Sequence, residues 1–148
     1  ANIKTIHVPY KGSGPGVLDL VSGRLHFMLN PMPEPVSFIK SGKLHALATT
    51  TLKRIAALPD LPPVADTLPG YEVLTWQGIV APTGTPNHVI DRLHAELVGA
   101  LNNPEFEAKM RSLGLELYGT SPEQFETLIR DEHAKWAKVI KATGARID

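Results

Sequence analysis

The chain has 148 residues, the length of one ordinary domain, and its composition (43% hydrophobic, 20% charged) is that of a globular protein. Fifteen basic residues offset fifteen acidic ones. That balance argues against nucleic acid as the main partner, because phosphate binding normally shows as a basic excess. The absence of cysteine excludes thiol chemistry, disulfides and zinc–thiolate sites, and no apolar run is long enough to span a membrane as a helix.

In chain order, Ile6 to Val8 is a β-type run that stops at Pro9, and "YKGSG" separates it from a helix expected to open at Pro15. A weak internal repeat follows. "SGRLHFML" (22–29) and "SGKLHALA" (41–48) match nineteen residues apart, and each follows a short helical segment, "PGVLDLV" or "EPVSFIK". Gly23 and Gly42 fit the position just past a helix end, where a left-handed backbone costs glycine little. The runs after them are short and apolar, as in buried strands. The reading is strand, helix, strand, helix, strand, at a spacing that suits parallel crossovers.

Residues 58–70 carry Pro59, Pro62, Pro63 and Pro69 and read as a surface connection. "YEVLTWQGIVAP" (71–82) reads as a long strand crossing from one subdomain to another. The remainder is helical. Thr85 and Pro86 open a helix with Val89, Leu93, Leu97 and Leu101 as a stripe. Asn103 and Pro104 open a shorter helix that Gly114 ends, and Ser121, Pro122 and Gln124 form a capping box. Behind that box Phe125, Leu128, Ile129, Trp136, Val139 and Ile140 share one face, with little upstream sheet to receive it.

No catalytic constellation emerges. The six histidines include no pair with metal-ligand spacing and a supporting carboxylate, and His26 and His45 hold matching places in the repeat, which favours a structural role. "GSGPG" lacks the G-K-[ST] ending of a phosphate loop, and Ser13 lacks the frame of a nucleophile elbow. Glycines can still turn backbone N–H groups toward a ligand beside a helix N-terminus. Tyr10, Lys11, Gly12, Ser13 and Gly14 are therefore a candidate anion loop, and equally a turn that needs glycine. Asn30 and Met32, in the equivalent place past the next run, form a second candidate, with a proline-rich turn as the alternative. Thr75, Trp76 and Gly78 on the crossing strand are a third, where burial would explain the tryptophan as well.

At these residues the sequence resembles a known family. "VPYKGSGPGVLDLVSGRLHFML", "IKSGKLHALATTTLKRIAALPDLPPVADTLPGYE" and "TWQGIVAPTGTPNHVIDRLHAEL" are similar to the Bug family, the TctC-type receptors of tripartite tricarboxylate transporters. The resemblance covers essentially the whole chain in motif order. It implies an α/β, type II periplasmic-binding-protein-like fold: a βαβαβ unit, then a crossing strand and C-terminal helices, incomplete relative to the family. Residues 1–70 would be part of the second, ligand-closing domain, 71–82 the crossing strand or hinge, and 83–148 a helical part returning to the first domain. The family often has an acidic residue where His26 stands and an Asp-containing turn where "NPMPE" stands.

The implied function is periplasmic capture of a small carboxylate-type metabolite for delivery to membrane transporter subunits, with no catalytic residue, cofactor or metal. The start at Ala1 and the match to about the C-terminal half of a family member lead us to expect a fragment, whose exposed core would drive dimerisation. Two competing readings are the effector-binding domain of a cytoplasmic transcription regulator with the same architecture and an enzyme on a similar fold. The first calls for an N-terminal helix-turn-helix in the full gene. The second calls for a perturbed carboxylate pair or a Ser/His pair, which the sequence does not offer.

Overall fold

A computed structural model describes residues 4–145; the outer ends of the expected first and last regions, 1–3 and 146–148, lie outside the described residues. Five α-helices occur in the order α1 (Ser13–Val21), α2 (Val36–Lys40), α3 (Asn87–Leu101), α4 (Pro104–Ser112) and α5 (Pro122–Thr143), with a 3-10 turn at Val64–Asp66. No helix among the described residues is long and apolar enough to cross a membrane. The chain divides into two units: 1–78 with 108–116, and 79–107 with 117–148.

In the first unit the repeat is reproduced bond for bond. After α1, Ser22 N–H reaches Leu18 O at 3.0 Å, Gly23 N–H reaches Leu20 O at 3.1 Å, and Arg24 N–H reaches Asp19 O at 2.9 Å. After α2, Ser41, Gly42 and Lys43 repeat these bonds to Ser37, Ile39 and Phe38 at 3.0, 3.0 and 2.9 Å. Both serine hydroxyls donate back to the same carbonyls, Asp19 O and Phe38 O. Gly23 (φ 79°) and Gly42 (φ 72°) hold the left-handed position that this bonding requires. The repeat extends into the core: Val17 (2% exposed) and Val36 (4% exposed), nineteen residues apart, are its buried valines.

The runs between these helices differ from expectation. Among the described residues no β-ladder forms, and pairing is limited to two isolated bridges, Thr49 with Pro63 and Ile55 with Leu58. The runs 4–10, 27–31, 45–48 and 71–82 carry no ladder, and Ile6, Phe27, Leu29 and Leu47 are exposed rather than buried. Backbone extension is set locally, whereas a ladder needs a neighbouring strand about 4.8 Å away. The run after the Pro-rich connection is tied at its start by Val73 N–H to Thr50 O at 3.0 Å, and the boundary between the units falls inside it, after Gly78.

The return segment 108–116 joins the first unit through specific contacts. Lys40 Nζ donates to Ser112 O at 2.9 Å, and Met32 packs against Gly114 so closely that a Cβ there would lie 2.9 Å from Met32 Cε. The second unit holds α3 and α5. Within it, residues 117–121 lie on α3, with His94 Nε2 3.1 Å from Thr120 O and a Cβ added at Gly119 standing 3.3 Å from Val98 Cγ2. The α5 capping box forms as expected: Gln124 N–H donates to Ser121 Oγ, and Ser121 N–H donates to Gln124 Oε1. The Ser121 hydroxyl also donates to Glu123 at 2.7 Å and holds that carboxyl below its usual range. On α5, Trp136 Nε1 donates to Glu132 at 2.7 Å, and Lys135 lies 5.6 Å from the indole centre. None of α3, α4 and α5 has a fully buried residue.

The two C-terminal glycines of the repeat should respond alike to substitution. An added Cβ meets no atom within 4 Å at either position, so only the left-handed backbone is strained. Gly23→Ala and Gly42→Ala should each destabilise the first unit by about 1–2 kcal/mol in urea unfolding. A cost at one site and none at the other would show that the two turns are not equivalent.

Candidate functional site

The candidate loop is built by one glycine. Gly12 adopts φ 103°, ψ 169°, open to glycine but strained for other residues, and from there the chain enters α1 directly. The helix therefore opens at Ser13, two residues before the expected Pro15. Pro15 falls in the first turn, where its missing N–H costs nothing. Helix geometry leaves the N–H groups of Gly12, Ser13 and Gly14 without an intrahelical acceptor, and no side chain caps them. Three backbone donors at the positive end of a helix dipole are suited to an anion such as a carboxylate. Lys11, Gly12 and Gly14 are exposed, and Ser13 is half-buried.

Gly16 has a different role. A Cβ there would stand 2.8 Å from Met28 Cε and 3.4 Å from Tyr10 Cδ2, so its bareness lets both side chains close on α1. Tyr10 is held at its other end as well. Its hydroxyl donates to Asp19 Oδ2 at 2.8 Å, while Arg24 donates to Asp19 Oδ1 at 2.8 Å. The Tyr10 hydroxyl proton is thus committed to Asp19, leaving only the oxygen lone pairs for other partners. Sequence reading missed Asp19 and Arg24. A carboxylate inside an apolar helix, five residues before an arginine, was the available signal.

The second candidate divides. Asn30 Nδ2 donates to Pro31 O at 2.9 Å, and its Oδ1 is buried without a hydrogen-bond partner. Asn30 lies two residues beyond Met28, the side chain that reaches α1. Met32 is instead held against Gly114. Thr75 and Trp76 stand on the exposed run beyond the Val73 anchor, with Trp76 40% exposed. An open depression lined by Ile55, Ala56, Ala57, Arg111, Gly114, Leu115 and Glu116 contains none of the candidate residues. Among the described residues, no three His, Asp or Glu side chains gather as a metal ion would need.

The Tyr10–Asp19–Arg24 cluster sets a pH dependence. Hydrogen bonds from Tyr10 first and Arg24 second hold the Asp19 carboxyl below its usual range. The bond to Asp19, then burial and the carboxylate charge, raise the Tyr10 phenol. The Asp19 contribution to stability is present above its unfolded-state value and fades as pH falls through the lowered folded value. The Tyr10 contribution is full below its unfolded-state value and is lost as pH rises through the raised folded value. Tyr10→Phe should move the Asp19 carboxyl titration, followed by carbon NMR, back up toward the ordinary range and abolish the alkaline loss. An unmoved Asp19 titration would show that the hydroxyl bond does not hold in solution.

Comparison with known proteins agrees with this architecture. The sequence pattern described as "Tripartite tricarboxylate transporter family receptor" (TctC) matches residues 1–145. A protein from the tcbD–tcbE intergenic region of Pseudomonas sp. strain P51 is 40% identical over 142 residues, which are 95% of this chain and 42% of that protein. The periplasmic binding protein BugD superposes with a TM-score of 0.85 at 34% identity, over 96% of this chain and 48% of its own. Rpa4515 of R. palustris, solved with adipate, gives a TM-score of 0.84 at 36% identity, over 93% and 46%. The chain thus spans less than half the length of these three proteins. Its backbone follows the expected periplasmic-binding-protein fold across the matched region. It belongs to the TctC family, the receptors of tripartite tricarboxylate transporters.

Proposed function

We propose that this chain contributes to a periplasmic solute receptor that captures a small carboxylate and hands it to membrane transporter subunits. The observation that carries the reading is the uncapped first turn of α1, with the N–H groups of Gly12, Ser13 and Gly14 free to meet an anion. Family membership and a structural neighbour solved with adipate support it. Residues 1–70 are the ligand-closing part, 71–82 the connection, and 83–148 the part that returns to the other domain, except for 108–116, which stays with the first unit. Lys11 lies beside the free N–H groups as a counter-charge, and Asn30, Thr75 and Trp76 complete the lining, Met32 being committed to Gly114. Tyr10, fixed by Asp19, offers a rigid wall and lone pairs that accept from ordered water.

Binding is the whole chemistry, so no bond is made or broken and the protein is not an enzyme. A ligand that touches both domains favours the closed state by its differential affinity for it.

Ser13 provides the test. Proline there removes one N–H and keeps the helix, because the position is the first of α1 and the Gly12 ψ of 169° before it lies outside the α region that a following proline disfavours. Alanine removes only the hydroxyl. In calorimetric titration with adipate and shorter di- and tricarboxylates, Ser13→Pro should weaken binding about 10-fold or more and Ser13→Ala little. Equal affinity of the proline variant and the native protein would remove the backbone cradle from the reading. Failure of every carboxylate to bind would remove the ligand class.

A further inference from the structure

Asp19 stands where helix chemistry disfavours it. It is the third residue from the end of α1, where a negative charge opposes the helix dipole, and its neighbours Leu18, Leu20 and Val21 are apolar. The repeat supplies an internal comparison. Nineteen residues on, Phe38 holds the same place in α2, and its carbonyl accepts from Ser41 Oγ, Lys43 N–H and Leu44 N–H. The Asp19 carbonyl accepts from Ser22 Oγ, Arg24 N–H and Leu25 N–H in the same pattern. The turn therefore needs a backbone carbonyl at this position and no carboxyl.

What the carboxyl does is confined to the first copy. Oδ2 accepts from the Tyr10 hydroxyl and Oδ1 from Arg24, both at 2.8 Å. In the second copy Leu29 stands in the place of Tyr10 and Pro31 in the place of Gly12. Acid, tyrosine and glycine entry thus occur together in one copy and are missing together from the other. Residues 8–12 need such an attachment. Among the described residues no backbone hydrogen bond outside the helices ties them down, and a Cβ at Gly12 or Gly14 would meet no atom within 4 Å. The freedom of glycine alone would leave their N–H groups unaimed.

We infer that Asp19 is a positioning residue for the anion loop: by holding the Tyr10 hydroxyl on the flank of α1, it fixes the direction in which residues 10–12 enter the helix and so aims the N–H groups of Gly12, Ser13 and Gly14. Arg24 offsets the carboxylate charge, which would otherwise share a short helix with the arriving anion. The inference rests on the receptor reading for its ligand, but the order of the loop is measurable without one.

Two substitutions at Asp19 separate its roles. Asp19→Leu removes the acceptor and keeps the turn, since Phe38 makes the same turn with an apolar side chain. Asp19→Asn removes the charge and keeps an acceptor for Tyr10. In nitrogen NMR relaxation, the Gly12 and Gly14 amides should lose order in Asp19→Leu and in Tyr10→Phe and keep it in Asp19→Asn, with the Ser22 and Gly23 amides unchanged throughout. In calorimetric titration with adipate, Asp19→Leu should weaken binding about 5-fold and Asp19→Asn far less. Adding Tyr10→Phe to Asp19→Leu should cost nothing further, because both remove one bond. Amides as ordered in Asp19→Leu as in the native chain would overturn the inference, and so would equal losses in the leucine and asparagine variants. If no carboxylate binds the native chain, the receptor reading falls, while the amide series by itself upholds or overturns the positioning role.

Discussion

The candidate loop depends on a close approach at Gly16. Because that residue has no side chain, Met28 and Tyr10 can lie directly on α1; any Cβ would stand 2.8 Å from Met28 Cε. The contact links the end of the second extended run to the first turn of α1. It also presents the Tyr10 hydroxyl to Asp19, one turn further along the helix. Arg24 closes the cluster from the far end of α1. The loop is therefore clamped at both ends: Gly12 sets the direction of entry and Asp19 holds the aromatic ring. Preorganisation of this kind lowers the ordering cost when a ligand arrives.

The nineteen-residue repeat shows how one local solution serves twice. In both copies a serine, a left-handed glycine and a basic residue turn the chain out of a short helix with the same hydrogen bonds. A valine in the same register anchors each helix. The copies then diverge in their surroundings. α1 begins with uncapped N–H groups after a glycine, while α2 is a single turn opened by Pro35. The scaffold repeats, and the glycine-led entry belongs to the first copy.

The distribution of burial separates local from long-range stability. Side-chain caps and i,i+3 or i,i+4 pairs gather on α4 and α5, from Asn103 and the Ser121 box to the Glu132–Lys135–Trp136 cluster, whereas α1, α2 and α3 have no side-chain N-cap. Among the described residues, the buried apolar side chains are Val17 and Val36, with the prolines Pro35 and Pro63. Local bonds of this kind contribute tenths of a kcal/mol to about 1 kcal/mol each, whereas large cores are the main source of stability. BugD and Rpa4515, which this chain matches, are about twice its length.

Much was legible in the sequence because it depends on short-range chemistry. Ser121 and Gln124 announced the start of α5, Asn103 the start of α4, and Gly23, Gly42 and Gly114 the ends of helices, since capping involves residues within one turn. The family, too, was readable from motif order. The entry into α1 was misplaced by two residues because Pro15 looked like a start signal, whereas the backbone freedom of Gly12 let the helix begin earlier. Three features were decided only by the tertiary structure: the engagement of Tyr10 with Asp19, nine residues away, the turning of Met32 to Gly114, and the exposure of the extended runs. Each depends on which distant segment lies alongside, and pattern and propensity do not encode that neighbour.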